Sequence, residues 1–196
     1  MDLGLKGRTA VVVGGARGIG YATARRLAAE GAAVELADID AERLAVSTEQ
    51  LEAETGARVA GVPTDVTDPA SVAALAGAVT ERLGPPDILV NNAGILENKT
   101  FLESEPADWR RMLDVCLYGP MLVLHALLPG MCERGYGRVV FFASDAGRIG
   151  QGHLSYYAAA KGGVIALAKS VAQEVGRHGV TLNIDEPGAT DTELRQ

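Results

Sequence analysis

VGGARGIGYATARRLAAEG, residues 13–31, joins a short apolar run to an Ala-rich segment with helical spacing. Gly14, Gly18 and Gly20 give this stretch a G-x-x-x-G-x-G pattern. A glycine-rich turn of this kind brings backbone N–H groups and the N-terminus of the next helix close to a phosphate group. A side chain at the glycines would block that approach. The stretch therefore predicts a strand, a phosphate-binding turn and a helix.

The rest of the chain repeats this alternation of a short apolar run and a longer helical segment. Several of the runs are apolar at consecutive positions, which is typical of parallel strands that are covered on both faces. Repeated β-α alternation implies right-handed crossovers between such strands. The pattern predicts the α/β class, with a Rossmann-like doubly wound parallel sheet and helices on both faces. The predicted strands are TAVVV (9–13), AVELA (33–37), ARVAGV (57–62), DILV (87–90), RVVFFA (138–143) and VTLNI (180–184).

The composition argues against several classes of function. The 196 residues carry a formal net charge of −7, so we expect no basic stripe for nucleic acid or anionic lipid. The two cysteines, Cys116 and Cys132, are too few for a disulfide scaffold and lack metal-ligand spacing. We therefore expect no metal site and a cytoplasmic location. We also expect no membrane span, because the apolar runs are short.

An acidic residue, Asp38, ends the second predicted strand 18 residues after Gly20. This separation is typical of the carboxylate that binds the hydroxyls of an adenosine ribose. A 2′-phosphate there would meet a like charge, at a cost of up to ~4 kcal/mol per charge pair at ~4 Å and an effective dielectric of ~20. Arg17, in the glycine turn, argues the other way, because a base can contact a 2′-phosphate. We expect NAD as the cofactor, with NADP less favoured.

Five further motifs complete a resemblance to the short-chain dehydrogenase/reductase family. They are TDVTD with Asp65 and Val66, NNAG at 91–94, SDAG at 144–147, YAAAK at 157–161 and NIDEPGATDT at 183–192. The motifs follow the order and spacing of that family, from about Leu5 to Gln196. The resemblance implies one NAD(P)-binding Rossmann domain over residues 1–196. It also implies hydride transfer between a small-molecule secondary alcohol and a ketone.

The resemblance indicates which residues bind the cofactor. Asp65 and Val66 match the adenine contact of the family, and Asn91 matches a residue that contacts the adenosine ribose. The complete set of expected cofactor-binding residues is Gly14, Arg17, Gly18, Ile19, Gly20, Asp38, Asp65, Val66, Asn91, Ala93, Gly94, Tyr157, Lys161, Pro187, Gly188 and Thr192.

Ser144, Tyr157 and Lys161 are the expected catalytic residues. Tyr157 and Lys161 are four residues apart and so share one face of a predicted helix, whereas Tyr156 points elsewhere. Ser144 follows a predicted strand 13 residues before Tyr157, at the carboxyl edge of the sheet where ligands bind in open α/β folds. That separation matches the serine-to-tyrosine spacing of the family.

The chemistry assigns each catalytic residue a role. Tyrosinate at Tyr157 can remove the hydroxyl proton of an alcohol, but the reference pKa of tyrosine is ~10. A shift of ~2–3 pH units costs ~3–4 kcal/mol, and one ammonium at ~4 Å supplies a similar amount. We therefore expect Lys161 to lower the pKa of Tyr157 and to hold the nicotinamide ribose. Ser144 is expected to hydrogen-bond the substrate oxygen.

Three features depart from the family pattern. Cys116 stands where the family usually has an Asn that positions a water beside the lysine, and a thiol is a weak hydrogen-bonding group. Asp185 falls at a strand position that we expect to be buried, where a lone carboxylate is costly. Family members usually continue well beyond Gln196 with a seventh strand and a substrate-covering helix pair, so these elements are expected to be missing here.

Two alternative functions remain open at this point. A nucleotide-binding sensor or scaffold with impaired catalysis would explain Cys116. An NADP-dependent 3-oxoacyl-thioester reductase would explain Arg17. In either case the resemblance implies a homodimer or homotetramer, because the long helix from Pro106 and the helix with Tyr157 usually pack against their mates in a neighbouring subunit. Trp109 and the apolar residues after it are interpreted as core or subunit interface.

Overall fold

Six parallel strands form a single sheet in the order β3-β2-β1-β4-β5-β6. The structure is a computed structural model and describes residues 3–188. The strands are β1 (Thr9–Val13), β2 (Ala33–Asp38), β3 (Val59–Pro63), β4 (Ile88–Asn91), β5 (Gly137–Phe142) and β6 (Val180–Asp185). Each lies within two residues of its predicted position. The predicted Rossmann-like doubly wound parallel sheet is therefore confirmed.

Helices cover both faces of the sheet. They are α1 (Gly18–Ala29), α2 (Ala41–Thr55), α3 (Pro69–Arg82), α4 (Pro106–Leu113), α5 (Gly119–Glu133), α6 (Ala146–Ile149) and α7 (Ser155–Val175). One apolar core joins α1 and α2 to one face of the sheet, around Leu36 and Leu51. A second joins α3, α5 and α7 to the other face, around Leu89 and Phe141. The two layers explain why β1 is buried along its whole length.

The order of the strands reverses between β1 and β4. Crossovers from β1 lead outward through β2 to β3, whereas those from β4 lead the opposite way to β5 and β6. The connections leaving β1 and β4 therefore diverge, and a crevice opens at the carboxyl ends of these two strands. Ligands of open α/β sheets bind in such a crevice.

A π-helical turn at Asp114–Tyr118 links α4 to α5 in one continuous helix. Single π turns inside α-helices occur frequently at functional sites. This turn buries Cys116 completely, and it leaves Leu113 and Tyr118 exposed at its two ends. Nothing in the sequence pattern predicted it.

The continuous helix Pro106–Glu133 is long and apolar enough, by length and composition alone, to cross a membrane. It has 28 residues, and its most apolar 18-residue window has a mean hydropathy of 1.6 and is 39% buried. The expectation that every apolar segment is too short to cross a membrane was therefore wrong for this helix. A single helix of this kind is weak evidence for a membrane span, because core helices have the same composition. Here it packs against β4, β5, α3 and α7.

Asp185 is exposed, contrary to the sequence expectation. It ends β6, the edge strand, in which Thr181 and Asn183 are exposed as well. The Asp185 carboxylate therefore contacts solvent and does not incur the free-energy cost of burying a charge. The next residue, Glu186, forms an ion pair of 3.1 Å with Arg148 of α6.

Candidate active site

The turn after β1 leaves no room for side chains at two of its glycines. Gly14 has a φ of 71°, and a Cβ there would lie 2.8 Å from the backbone N of Ala93. A Cβ on Gly20 would lie 2.0 Å from the carbonyl oxygen of Gly14. The turn is thus packed tightly against the segment that follows β4. Such a backbone can approach a phosphate without obstruction.

Helix α1 begins at Gly18 and directs its N-terminus into the crevice. The side chain of its N-cap residue, Arg17, makes no capping hydrogen bond. The first N–H groups of a helix have no partner within the helix, and the helix dipole adds partial positive charge there. The arrangement fits an anionic group such as a diphosphate.

Asp38 lies at the end of β2 beside the glycine turn, with its carboxylate held by two backbone groups. One oxygen accepts the N–H of Ala16 at 3.1 Å, and the other accepts the N–H of Asp40 at 3.2 Å. Both bonds fix the orientation of the carboxylate. Each oxygen retains further acceptor capacity for ribose hydroxyls.

A cavity of about 360 Å³ connects these features. It has the size of many small-molecule sites, which run from roughly 300 to 1,000 Å³. Its lining combines the backbone of the glycine turn with the Asp38 carboxylate, groups that fit the phosphate and the ribose of a nucleotide. Its lining residues are Val13, Gly14, Arg17, Gly18, Ile19, Asp38, Ile39, Thr64, Asp65, Val66, Asn92, Ala93, Gly94, Ile95, Arg111 and Val115. Nine of these were predicted from the sequence.

Six predicted cofactor contacts among the described residues do not line the cavity: Gly20, Asn91, Tyr157, Lys161, Pro187 and Gly188. Asn91 is one of them. Its side chain is 2% exposed and donates to the carbonyl oxygen of Pro120 at 3.3 Å. The neighbouring Asn92 lines the cavity and donates to the carbonyl oxygen of Gly14 at 3.1 Å. The Asn91 side chain is thus directed at Pro120, and the contact of Asn91 with the ribose stays a prediction. Successive side chains at a strand end point to opposite sides, which could have separated the two asparagines.

Ser144, Tyr157 and Lys161 come together in a buried cluster. Their exposed fractions are 8%, 9% and 5%. The Ser144 hydroxyl lies beside the Tyr157 phenol, and it donates to a carboxylate oxygen of Asp145 at 3.3 Å. The Lys161 ammonium donates to the carbonyl oxygen of Phe142 at 2.7 Å and lies 5.7 Å from the centre of the Tyr157 ring. Residues predicted from two separate motifs thus share one site.

Two close backbone contacts position this cluster. A Cβ on Gly147 would lie 2.8 Å from the backbone of Lys161 and Gly162, so α6 can pack on α7 only with glycine there. A Cβ on Gly94 would lie 3.6 Å from the Lys161 ammonium and 3.7 Å from the Cys116 sulfur. Gly94 also lines the cavity. The cluster therefore adjoins the cavity at Gly94.

Burial sets the pKa values of the two titrating residues in the cluster. Burial raises the pKa of the Tyr157 phenol, opposed by the neighbouring Ser144 hydroxyl. Burial also lowers the pKa of Lys161. Within the protein itself, Lys161 does not lower the pKa of Tyr157 as expected. Its ammonium donates to the carbonyl oxygen of Phe142 instead.

Cys116 holds the backbone between the cavity and Lys161. Its sulfur lies 3.4 Å from the N–H nitrogen of Ile95, which donates to it, and 3.5 Å from the carbonyl oxygen of Ile95. Burial raises the pKa of the Cys116 thiol, although the nearby Lys161 opposes this. The thiol therefore stays protonated at neutral pH. No sequence motif indicated this contact.

The segment after β6 returns to the catalytic cluster. A Cβ on Gly188 would lie 3.5 Å from a carboxylate oxygen of Asp145, the residue that follows Ser144. Pro187 is half-buried. Thr192, the remaining predicted cofactor contact, lies outside the residues that the structure describes.

The fold and the site define an oxidoreductase with a doubly wound nucleotide-binding sheet. The family model of short chain dehydrogenases matches residues 8–196. The chain belongs to the short-chain dehydrogenase/reductase family. It is accordingly an NAD(P)-dependent oxidoreductase.

Relatives of known structure or activity span more than this chain. A solved structure of levodione reductase has a TM-score of 0.93 and 40% identity, covering 96% of this chain and 74% of that one. A solved structure of NAD⁺-bound xylitol dehydrogenase has a TM-score of 0.88 and 33% identity, covering 94% and 71%. Cis-4-hydroxycyclohexanecarboxylate dehydrogenase of Sinomonas cyclohexanicum is 43% identical over 188 residues, 95% of this chain and 75% of its own.

Proposed function

We propose that this chain interconverts a secondary alcohol and a ketone with NAD as its preferred cofactor. The observation that carries the proposal is the position of the cluster of Ser144, Tyr157 and Lys161. It adjoins, at Gly94, the same cavity that Asp38 and the glycine turn line. The relatives named above are a dione reductase and two dehydrogenases of hydroxyl compounds, which supports the same class of reaction.

The roles of the catalytic residues follow from their contacts. A bound nicotinamide would supply the hydride acceptor for oxidation of the alcohol carbon and the hydride donor for reduction. Tyr157 removes the hydroxyl proton in oxidation and returns it to the carbonyl oxygen in reduction. Ser144, which lies beside the phenol, donates to the same substrate oxygen. The Lys161 ammonium lies 5.7 Å from the centre of the Tyr157 ring and donates to the carbonyl oxygen of Phe142.

The preference for NAD rests on Asp38 and Ile39. The Asp38 carboxylate is fixed by backbone N–H groups at the point expected to meet the ribose. Ile39 follows it, lines the cavity and is 72% exposed. Because isoleucine is uncharged, it supplies no positive charge for a 2′-phosphate. Arg17 lines the same cavity and is the group that favours NADP.

A screen of secondary alcohols and ketones with NAD(H) and NADP(H) tests the proposal. We expect turnover with NAD(H) and a kcat/KM at least about tenfold lower with NADP(H), because a like charge beside Asp38 costs more than 1 kcal/mol. Thermal stabilisation by each dinucleotide is measured in parallel. Tighter binding of NADPH would contradict the role of Asp38 and support a 3-oxoacyl-thioester reductase, for which the corresponding thioester is included.

A second candidate function is a nucleotide sensor with impaired catalysis. Cys116 favours it, because the thiol contacts Ile95 and offers only weak hydrogen bonding beside Lys161. Stabilisation by NADH without turnover of any substrate in the screen would support this candidate. Turnover would exclude it.

We also propose that the continuous helix Pro106–Glu133 forms a homodimer interface. Leu113, Tyr118 and Met121 are large apolar residues of this helix that stay 39–45% exposed. Large apolar side chains left exposed on one helix favour a subunit contact. Sedimentation should show at least a dimer, and Tyr118→Asp with Met121→Asp should shift it to monomer. Leu102→Asp, at a residue 96% exposed in another segment, is the matched control. A monomeric wild type would contradict the proposal.

A further inference from the structure

We propose that Arg111 closes over the diphosphate of the bound dinucleotide from the wall of the crevice opposite the glycine turn. The inference rests on the proposed function, since it assumes that the cavity holds a dinucleotide. No motif of the sequence indicated Arg111. Arg111 would bind the cofactor together with the glycine turn. The affinity for the cofactor would then depend on a residue of the long helix.

The helical spacing places Arg111 on the cavity face of the long helix. Arg111 and Val115 are four residues apart and both line the cavity. Met112 and Cys116, one residue further along in each case, are completely buried on the core side. Helical side chains lean toward the N-terminus of their helix, so the guanidinium lies further out than Val115. Arg111 is therefore a cation at the rim of the cavity.

The crevice lies between the two helix layers of the sheet, and this position determines which part of the cofactor Arg111 faces. Helix α1 packs on one face of the sheet, and the long helix packs on the other. The N-terminus of α1 and the long helix therefore flank the crevice from opposite sides. A diphosphate at the N-terminus of α1 is the only negatively charged part of NAD. An arginine across the crevice can bind it with two parallel N–H···O bonds.

Nearby carboxylates have other partners. Asp108, one turn before Arg111, is held by the Lys99 ammonium at 2.7 Å, and the positive charge of Arg111 adds to the lowering of its pKa. In the cavity, one carboxylate oxygen of Asp65 accepts both the N–H and the hydroxyl of Thr67, at 2.8 and 2.7 Å. These contacts keep the acidic groups oriented toward their own partners. An anion entering the cavity would therefore meet the positive charge of Arg111 at its rim.

Calorimetric titration of NAD, ADP-ribose and adenosine separates the diphosphate from the rest of the cofactor. We expect Arg111→Ala to weaken NAD and ADP-ribose about tenfold, as for the loss of one charge-assisted hydrogen bond. Adenosine should bind as it does to wild type. The loss should shrink at high salt, because the site is exposed to solvent. Arg110→Ala is the matched control: Arg110 is exposed on the same helix but does not line the cavity.

Each other outcome rejects the inference in a distinguishable way. Unchanged ADP-ribose affinity in Arg111→Ala would overturn it, and a rise in KM confined to an acidic substrate would assign Arg111 to that substrate. An equal loss of affinity for adenosine would indicate that Arg111 contacts the adenine or that the substitution damages the fold. If wild type bound neither NAD nor ADP-ribose, the proposed function itself would fail.

Discussion

Replacing Tyr157 with Phe should lower kcat/KM by about 10³-fold or more while leaving the Kd for NAD within about twofold. The phenol oxygen is the only atom removed, and general acid–base catalysis typically contributes roughly 10²–10⁴-fold. The ring itself, which is 9% exposed, still fills its place between Ser144 and Lys161. Steady-state kinetics and calorimetry measure the two quantities separately.

Tyr156→Phe is the matched control for this variant. Tyr156 is 5% exposed and lies in the same helical turn, but its hydroxyl has no hydrogen-bond partner among the described residues. Loss of the Tyr156 hydroxyl should leave kcat nearly unchanged. Comparable activity in Tyr157→Phe and wild type would refute Tyr157 as the general base.

The direction of the pKa shift predicts how this activity depends on pH. Oxidation needs the phenolate of Tyr157, and burial raises the pKa of that phenol. The rate of oxidation should therefore rise with pH into the alkaline range. Reduction needs the protonated phenol and should persist at neutral pH. The positive charge of an oxidised nicotinamide would lower the pKa and move the rise toward neutrality.

Local motifs predicted the parts of the site that depend on backbone shape. Gly14 and Gly20 are required by close approaches within the turn, and such turns leave a signature in sequence. Asp38 was equally predictable, because the end of β2 always lies beside the turn in a sheet of this order. The spacing of Tyr157 and Lys161 is a property of one helix. Each of these predictions needed only a short stretch of chain.

Contacts between distant segments could not be predicted in this way. The Lys161 ammonium turns to the carbonyl of Phe142, nineteen residues away in the chain. Cys116 reaches Ile95 only because a π turn changes the face of the long helix. Such contacts are set by how helices pack on the sheet, for which the sequence carries no local pattern.

The apolar runs also concealed a buried carboxylate. AVELA was interpreted as a strand covered on both faces, and the structure confirms a fully covered β2 at its centre. Glu35 is consequently 0% exposed, and neither of its carboxylate oxygens has a hydrogen-bond partner among the described residues. Arg82 approaches to only 3.9 Å and is itself half-exposed to solvent. A buried carboxylate without hydrogen bonds destabilises its surroundings when it is charged.

Replacing Glu35 with Leu should raise the free energy of unfolding at pH 8 by roughly 3 kcal/mol. Burial raises the pKa of Glu35 from 4.5 to about 7, although Arg82 opposes this. Below pH 4.5 the carboxyl is protonated in both the folded and the unfolded chain. Between pH 4.5 and about 7 the folded chain holds the extra proton, so stability falls as pH rises, by about 1.4 kcal/mol per pH unit.

Denaturant unfolding at several pH values measures this effect. Wild type should lose stability between pH 5 and 7, and Glu35→Leu should lose less over the same interval because the titrating group is gone. Glu49→Gln, which removes an exposed carboxylate of α2, should follow wild type. A Glu35→Leu protein that is less stable than wild type at pH 8 would mean that the contact with Arg82 outweighs the cost of burial. The carboxylate would then stabilise the sheet, and the pH slope of wild type would have the opposite sign.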